Sequence, residues 1–430
     1  MYKIFFSVCF LSFLINSAIS QTTITKWKDD KTGAISLTYD DGNRNQFKYA
    51  LPIMERLQLP ATFYIITGNI KGSRYQGKFI GRPVEAIIKE SASNSTNADN
   101  YFERASAAKY LGYIGANALY DKSAIAFEDG KIDEAHKIMD TLYQKVRNGA
   151  LKKGIEFSDE VAQEQGLGWD SIKAYAAKGY EFASHTVTHT HLAVLDTTNI
   201  SYELYKSKED IKEHLGDKYT FDAEIPFGVE HPRALKYALP AYAALRNMMT
   251  DSFLFEINRG YKTQPGSSNK DYVQWQRGPL SKTSLEEMIS YVDTTIAHNN
   301  IWLVLVFHGI DGLGWEALPH EVLETYFRYI KQKENNLWVA TFADVAKYMR
   351  ERMHAEVYEN KTGSTITVHL KQTLDSRMYD VPLTLKTYLP ASWRVVKSNQ
   401  RQNLKIQKDA KGSYVLYDVM PGKTMRLSRQ

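Results

Sequence analysis

Cysteine is all but missing from this chain: among 430 residues there is one, Cys9. It lies inside an apolar run from Ile4 to Ile15 that follows Lys3 and ends in Ala18, Ile19, Ser20 before Gln21. That is the pattern of a secretory signal peptide cleaved after Ser20. The mature chain, of roughly 410 residues, is expected to have no cysteine, so disulfides are excluded and ordinary hydrophobic cores must hold it. Cys9 sits within the run rather than at its end, a poor position for lipid attachment. Long hydrophobic stretches are missing too. A membrane anchor needs about 20 apolar residues and a stop-transfer pattern, and this run is shorter and followed by polar Gln21, Thr22, Thr23. A secreted or periplasmic protein with no transmembrane segment after cleavage is the expectation. Charge of one sign is also lacking, with 54 Lys and Arg against 49 Asp and Glu. So even a balance argues against a nucleic-acid partner. Aromatics, by contrast, are plentiful: 28 tyrosines and 7 tryptophans suit stacking on sugar rings as well as core packing.

From Ala34 to Phe342 short apolar runs alternate with loops and helix-period segments, the rhythm of an α/β fold with parallel strands covered by helices. Strands are expected at 34–39, 61–66, 179–184, 220–226, 301–307 and 337–342, with one or two more between 247 and 280. Helices are expected at 45–58, 170–178, 203–215 and 284–298, the last opened by a capping box from Ser284 to Glu287. A β/α barrel or a related open sheet follows, over residues 21–70 and 166–350. Residues 71–165 break the rhythm and read as an insertion. In it, Ser91 to Asn100 is expected as a flexible loop, and 101–127 and 132–147 as amphipathic helices. Residues 355–430 alternate in short runs and fit a small C-terminal all-β domain resembling a sandwich.

Chemistry concentrates where strands end. The first expected strand runs into Asp40, Asp41, Gly42, placing two carboxylates on the rim where such folds keep their active sites. Adjacent strand residues face opposite ways, so both acids can serve one site only if the strand breaks, which Gly42 allows. His185 and His189 follow another strand. Four residues apart, they would be about 13 Å apart on a strand but about 6 Å apart on a helical turn, so shared ligation predicts a helical turn there. Two imidazoles and one carboxylate leave positions open on a metal, the arrangement of a catalytic site. His308, at the end of the run Ile301 to Phe307 and before Gly309, completes a rim equipped to hydrolyse an acyl bond: metal ligands, a further carboxylate as base, and a free histidine as acid. Trp315, in a glycine-rich loop, is a candidate sugar platform.

The order and spacing of these motifs resemble the NodB-homology polysaccharide deacetylases, carbohydrate esterase family 4, across residues 34–70 and 166–350. Thr38, Tyr39, Asp40, Asp41, Gly42 is similar to the family's first motif, which implies Asp40 as base and Asp41 as metal ligand. The resemblance implies His185 and His189 as the other two ligands and His308, after Leu305, Val306, Phe307, as general acid. It further implies a distorted (β/α) barrel, a divalent metal with zinc as the default and cobalt, nickel or manganese as alternatives, and an N- or O-acetylated polysaccharide as substrate. Tyr39, Pro226, Phe227, Gly228 and Trp315 are expected at that substrate. One departure stands out. Where the family often has Arg-x-Pro-x-Gly, this chain reads Glu224, Ile225, Pro226, Phe227, Gly228, so either another residue such as Arg233 or Arg259 takes over the arginine that orients the base, or Asp40 is tuned differently. For the family's fourth motif, which tunes the acid histidine, Asp251 is the nearest candidate, with Asp311 or Trp315 as neighbours of His308. The alternative reading is a non-catalytic carbohydrate-binding protein on a deacetylase scaffold.

Overall fold

The computed structural model describes residues 22–154, 167–229, 231–247, 255–258 (backbone alone), 265–266, 270–400 and 403–429. The expected signal peptide with Cys9, and the candidates Asp251 and Arg259, lie outside the described residues. Two compact units are present. The larger comprises Lys26–His354 and Thr373–Val381; the smaller holds Ala355–Gln372, Pro382–Gln430 and the stretch up to Thr25.

Strand β1 (Thr22–Ile24) belongs to the smaller unit. In the larger one, β2 (Gly33–Tyr39), β3 (Thr62–Ile65), β4 (Glu181–Ser184), β5 (Asp222–Ala223), β6 (Ala244–Leu245), β7 (Phe255–Asn258), β8 (Tyr272–Arg277), β9 (Ile301–Phe307) and β10 (Leu337–Val339) form one parallel sheet. The order is β6-β5-β4-β3-β2-β9-β8-β7, and β2 pairs with β10 along its first half and with β3 at its end. The sheet curls into a half-barrel. Its parallel strands all point their carboxyl ends at one rim, as the sequence rhythm implied.

Alternation along the central strands decides what reaches that rim. Ile35, Leu37 and Tyr39 of β2, with Ile301, Leu303, Leu305 and Phe307 of β9, pack against the helices Leu51–Leu57, Leu285–His298 and His320–Gln332. Ala34 of β2 and Trp302, Val304 and Val306 of β9 face the opposite side. With a period of two, the residues just past the two strands, Asp40 and His308, fall on that second side together. Tyr39 does not. It is fully buried, its ring stacked between Phe63 and Phe307 at 5.2 and 5.1 Å, so it is a core residue and makes no substrate contact.

The helices meet expectation with extensions at their caps. Ser284 accepts from the backbone N–H of Glu287, as a capping box requires, and the helix expected from 203 begins at Thr197 because the Asp196 side chain caps it. The insertion contains helices Val84–Glu90, Tyr101–Ala108, Ala116–Glu128 and Ile132–Arg147 around a core of its own that includes Tyr101, Met139 and Tyr143. The single helix expected over 101–127 is two, because Gly112 and Gly115 take φ of 73° and 87° between them. Nor is Ser91 to Asn100 a loose loop: Asp140 accepts from the Thr96 N–H at 2.7 Å, and Arg104 donates to Thr96 Oγ1 at 2.8 Å.

The smaller unit is all-β and antiparallel. One sheet has the order β1-β13-β17-β16, with β13 (Leu383–Tyr388), β16 (Gln407–Asp409) and β17 (Gly412–Val419). The other runs β11-β12-β18-β14-β15, with β11 (Glu356–Thr362), β12 (Thr365–Lys371), β14 (Val396–Ser398), β15 (Asn403–Leu404) and β18 (Thr424–Arg429). Two expected boundaries move. Thr22 pairs with Thr387, which draws the first described strand into this unit rather than the barrel. Residues 373–381 go the other way, because Asp380 pairs with the buried Lys347 at 2.9 Å and Glu351 accepts from the Val381 N–H.

Candidate active site

Asp40 continues β2 by one bond, its N–H donating to Phe307 O at 3.0 Å, and Gln46 then ties Asp40 O and His308 O together at 2.7 and 2.8 Å. The strand breaks at the next residue. Asp41 takes φ of 74° and so does Gly42, and this left-handed pair turns the Asp41 carboxylate to the same side as Asp40. The two acids thus converge, with more of the break carried by Asp41 itself than Gly42 alone would require.

His185 and His189 also converge, by a different route from the helical turn expected. Thr186 and His189 both adopt left-handed φ, 67° and 52°, and Thr186 Oγ1 accepts from the His189 N–H at 3.1 Å. The imidazole centroids lie 4.7 Å apart, and Asp41 Oδ1 is 3.6 Å from His185 Nε2 and 3.4 Å from His189 Nε2.

These three residues fit a divalent metal. Their donor atoms all lie within 4.8 Å of one another. His185 Nδ1 faces the Glu224 carbonyl at 2.9 Å, which can only accept, so Nδ1 carries the proton and Nε2 keeps its lone pair toward Asp41. Burial pulls the His185 imidazole down to about 4, and burial first, with His185 and the Lys109 ammonium each opposing a charge on it, pulls His189 well below its ordinary value. Both rings are neutral near pH 7, as metal ligands must be.

The missing arginine is present from another strand. Arg246, one residue past β6, forms a two-pronged pair with Asp40, Nη1 to Oδ1 at 2.5 Å and Nη2 to Oδ2 at 2.6 Å, while Nη1 also donates to Thr38 Oγ1. Neither expected substitute does this. Arg233 donates to the carbonyls of Ala193 and Leu195, away from Asp40, and Arg259 is outside the described residues. Glu224, in the family arginine's place, lies 3.3 Å from Arg246 Nη2 and accepts from Asn247. Glu224 stands where the family pattern has arginine, and a guanidinium from another strand meets Asp40. Burial alone would raise the Asp40 carboxyl, but Arg246 first, then His308 and His185, hold it well below the usual carboxylate range. Its charged form is thereby favoured.

His308 Nε2 is 3.4 Å from Asp40 Oδ2, and burial lowers its imidazole while the Asp40 charge opposes that. Trp315 meets it edge-on at 4.7 Å, one of the two neighbours anticipated. Asp311 is not the other: it turns away to accept from the N–H and Nδ1 of His320. Phe227 flanks the site on the ligand side, its ring 4.7 Å from His189 and stacked 3.9 Å from His191. Phe227 and Trp315 are each 52% exposed and line the cleft, as does Gly228. Pro226 is buried and shapes the turn beneath Phe227 instead of facing the cleft. The cleft measures about 1080 Å³ and, besides the residues above, is lined by Asn247, Gln276 and several residues of the insertion.

A curled parallel sheet carrying an Asp-His-His cluster, an arginine-held carboxylate and a histidine on one rim has the equipment of a hydrolase. Residues 28–96 and 120–241 match the family model of polysaccharide deacetylase, the family that the motifs resemble. It is similar to a gellan lyase from a Bacillus species, 22% identical over 276 residues, which covers 59% of this chain and 11% of that relative's length. Among solved structures it is similar to the CE4 domain of a multidomain xylanase from the hindgut metagenome of Trinervitermes trinervoides (13% identity, 73% of this chain, 88% of that one, TM-score 0.35). It is also similar to a polysaccharide deacetylase from Bacillus cereus (12% identity, 72% of this chain, 91% of that one, TM-score 0.31).

Proposed function

We propose that this chain is a secreted, metal-dependent deacetylase that hydrolyses N- or O-linked acetyl groups on a carbohydrate polymer. The observation that carries the reading is the convergence of Asp41, His185 and His189 on one side of an ionised Asp40, with His308 on the other. Asp41, His185 and His189 would hold a divalent cation, zinc by default, which would supply Lewis-acid polarisation of an acyl carbonyl and of water. Asp40 accepts the proton of the attacking water, and Arg246 keeps its carboxylate oriented for that task. His308 gives a proton to the departing nitrogen or oxygen as the bond to the acetyl carbon breaks, leaving acetate and a free amine or hydroxyl. Asp40 Oδ2 and His308 Nε2, 3.4 Å apart, allow the proton gained by one to be balanced on the other. Phe227 and Trp315 offer apolar faces to sugar rings at the two sides of the cleft. No described helix is long and apolar enough to cross a membrane, and export rests on the reading of Met1 to Ser20.

The binding-only alternative rested on the absent arginine and on the extra β domain. Arg246 bonded to Asp40 removes the first of these grounds. The test is acetate release from a panel of acetylated glycans, before and after chelation and restoration of zinc. Chelation should abolish release and zinc restore it, and Asp40→Asn should lower kcat by about 10²- to 10⁴-fold with metal content unchanged. Release that survives in Asp40→Asn would overturn the assignment of the base.

A further inference from the structure

We propose that the helical insertion is the specificity wall of this cleft, and that Lys109 is a specificity-determining residue that donates hydrogen bonds to oxygens of a sugar next to the acetylated one. The inference rests on the deacetylase reading and says which part of the glycan this chain selects.

Every residue assigned to the chemistry comes from the ends of β2, β4, β6 and β9, so the barrel needs no insertion to assemble its metal site. Yet Lys109 and Tyr110, just after helix Tyr101–Ala108, and Asn117 and Asp121, on one face of helix Ala116–Glu128, line the same cleft as Asp41 and His189. At about 1080 Å³ the cleft is at the upper end of small-molecule pockets, typically ~300–1,000 Å³, and far exceeds what one acetyl group fills. The space under the insertion is therefore space for the rest of a glycan.

The wall is fixed. Lys109 Nζ donates to Thr188 O at 3.4 Å, the Tyr120 hydroxyl meets Thr190 Oγ1 at 2.8 Å, and Glu128 pairs with His191 Nδ1 at 3.0 Å. A Cβ on Gly77 would meet Thr188 Cγ2 at 2.8 Å. Insertion and ligand loop are thus packed as one piece, and the wall cannot swing aside without disturbing His189. Lys109 carries three N–H donors, and among the described residues its hydrogen bond, to Thr188 O, is long. Burial lowers the Lys109 ammonium from its ordinary value, and the nearby Glu203 and Asp121 carboxylates oppose that. Sugar hydroxyl, ring and carbonyl oxygens are the acceptors such an ammonium finds in a glycan cleft, with Asn117 and Tyr110 able to add neutral hydrogen bonds. Residues 97–119, which carry Lys109, fall between the segments matched by the family model, so nothing in that match assigns it a role.

The experiment compares Lys109→Met, Lys109→Arg and Asn117→Ala with the unaltered chain on an aryl acetate and on N-acetylated glucosamine and O-acetylated xylose oligomers of one to five sugars. Bound zinc and thermal melts check folding. Loss of one charge-assisted hydrogen bond predicts a fall in kcat/KM for oligomers of two or more sugars in Lys109→Met, about 10- to 100-fold beyond any fall on the aryl acetate and mainly through KM. Lys109→Arg should recover most of it, and Asn117→Ala should show a smaller loss of the same length dependence. Equal losses on aryl acetate and oligomers in both Lys109→Met and Asn117→Ala, or none on either, would overturn the proposal. If the unaltered chain releases acetate from nothing, the deacetylase reading fails, while calorimetric binding of the same oligomers still decides the wall: unchanged affinity in Lys109→Met overturns it, and weakening by about tenfold upholds it.

Discussion

Arg246 stands between two buried carboxylates, 2.5 Å from Asp40 and 3.3 Å from Glu224, and is itself almost without solvent contact. Removing it strands both charges. Arg246→Ala is expected to destabilise the larger unit by about 3–5 kcal/mol, read as a lower denaturation midpoint in urea. Arg246→Lys keeps the charge but not the two-pronged geometry, so stability should recover in part while kcat stays depressed. Asp40, His185 and His308 were legible in the sequence because each follows an apolar run long enough to be read as a strand. Arg246 was not, because β6 is two residues, Ala244 and Leu245, too short to show a period. Its signal is the one its partners share: a polar residue directly after apolar ones, on the carboxyl side of a strand. Tyr39 misled for the opposite reason. It sits inside the motif by sequence, and the two-residue period of β2 sends it into the core.

At the level of elements, the ligand loop depends on how closely its neighbours approach. A Cβ on Gly68 would lie 2.5 Å from the carbonyl oxygen of Val187, backbone that cannot move without shifting the Thr186 to His189 turn. Gly68→Ala should therefore weaken zinc binding by at least about tenfold, as supporting-residue changes do around metal sites, with the far-ultraviolet circular dichroism unchanged. Competition with a chromophoric chelator measures it. Sequence spacing excluded a strand for His185 and His189 and pointed to a helical turn, and the tertiary setting selects a left-handed turn instead. The same limit applies to the insertion. Its amphipathic helices were legible, but which ends meet the rim depends on contacts such as Tyr120 with Thr190, which no period encodes.

Over the whole molecule, several buried carboxyls set how stability responds to pH. Burial raises Glu351 from 4.5 to about 8, with Asp380 adding to the rise and Lys347 opposing it, and it raises Glu181 and Asp222 as well. The folded chain thus binds more protons than the unfolded one between those limits, so the stabilising contribution of Glu351 is full below about 4.5 and lost as pH climbs through about 8. Glu351→Gln should flatten that fall, leaving the variant more stable than the unaltered chain at pH 8.5 by roughly 1–3 kcal/mol and closer to it at pH 5. Chemical denaturation at the two pH values checks the sign.

The pairing of β1 with β13, sealed by the Thr22 and Thr387 hydroxyls 365 residues apart, has a consequence in time. Synthesis delivers β1 long before its partner β13. The barrel can close while this strand waits, and the all-β unit can be completed only once nearly the whole polypeptide has arrived, since domains form as their segments emerge. Until β13 arrives, the three residues of β1 present an open strand edge, available to any other chain in the same condition. The pairing that completes this sheet accordingly comes late in folding.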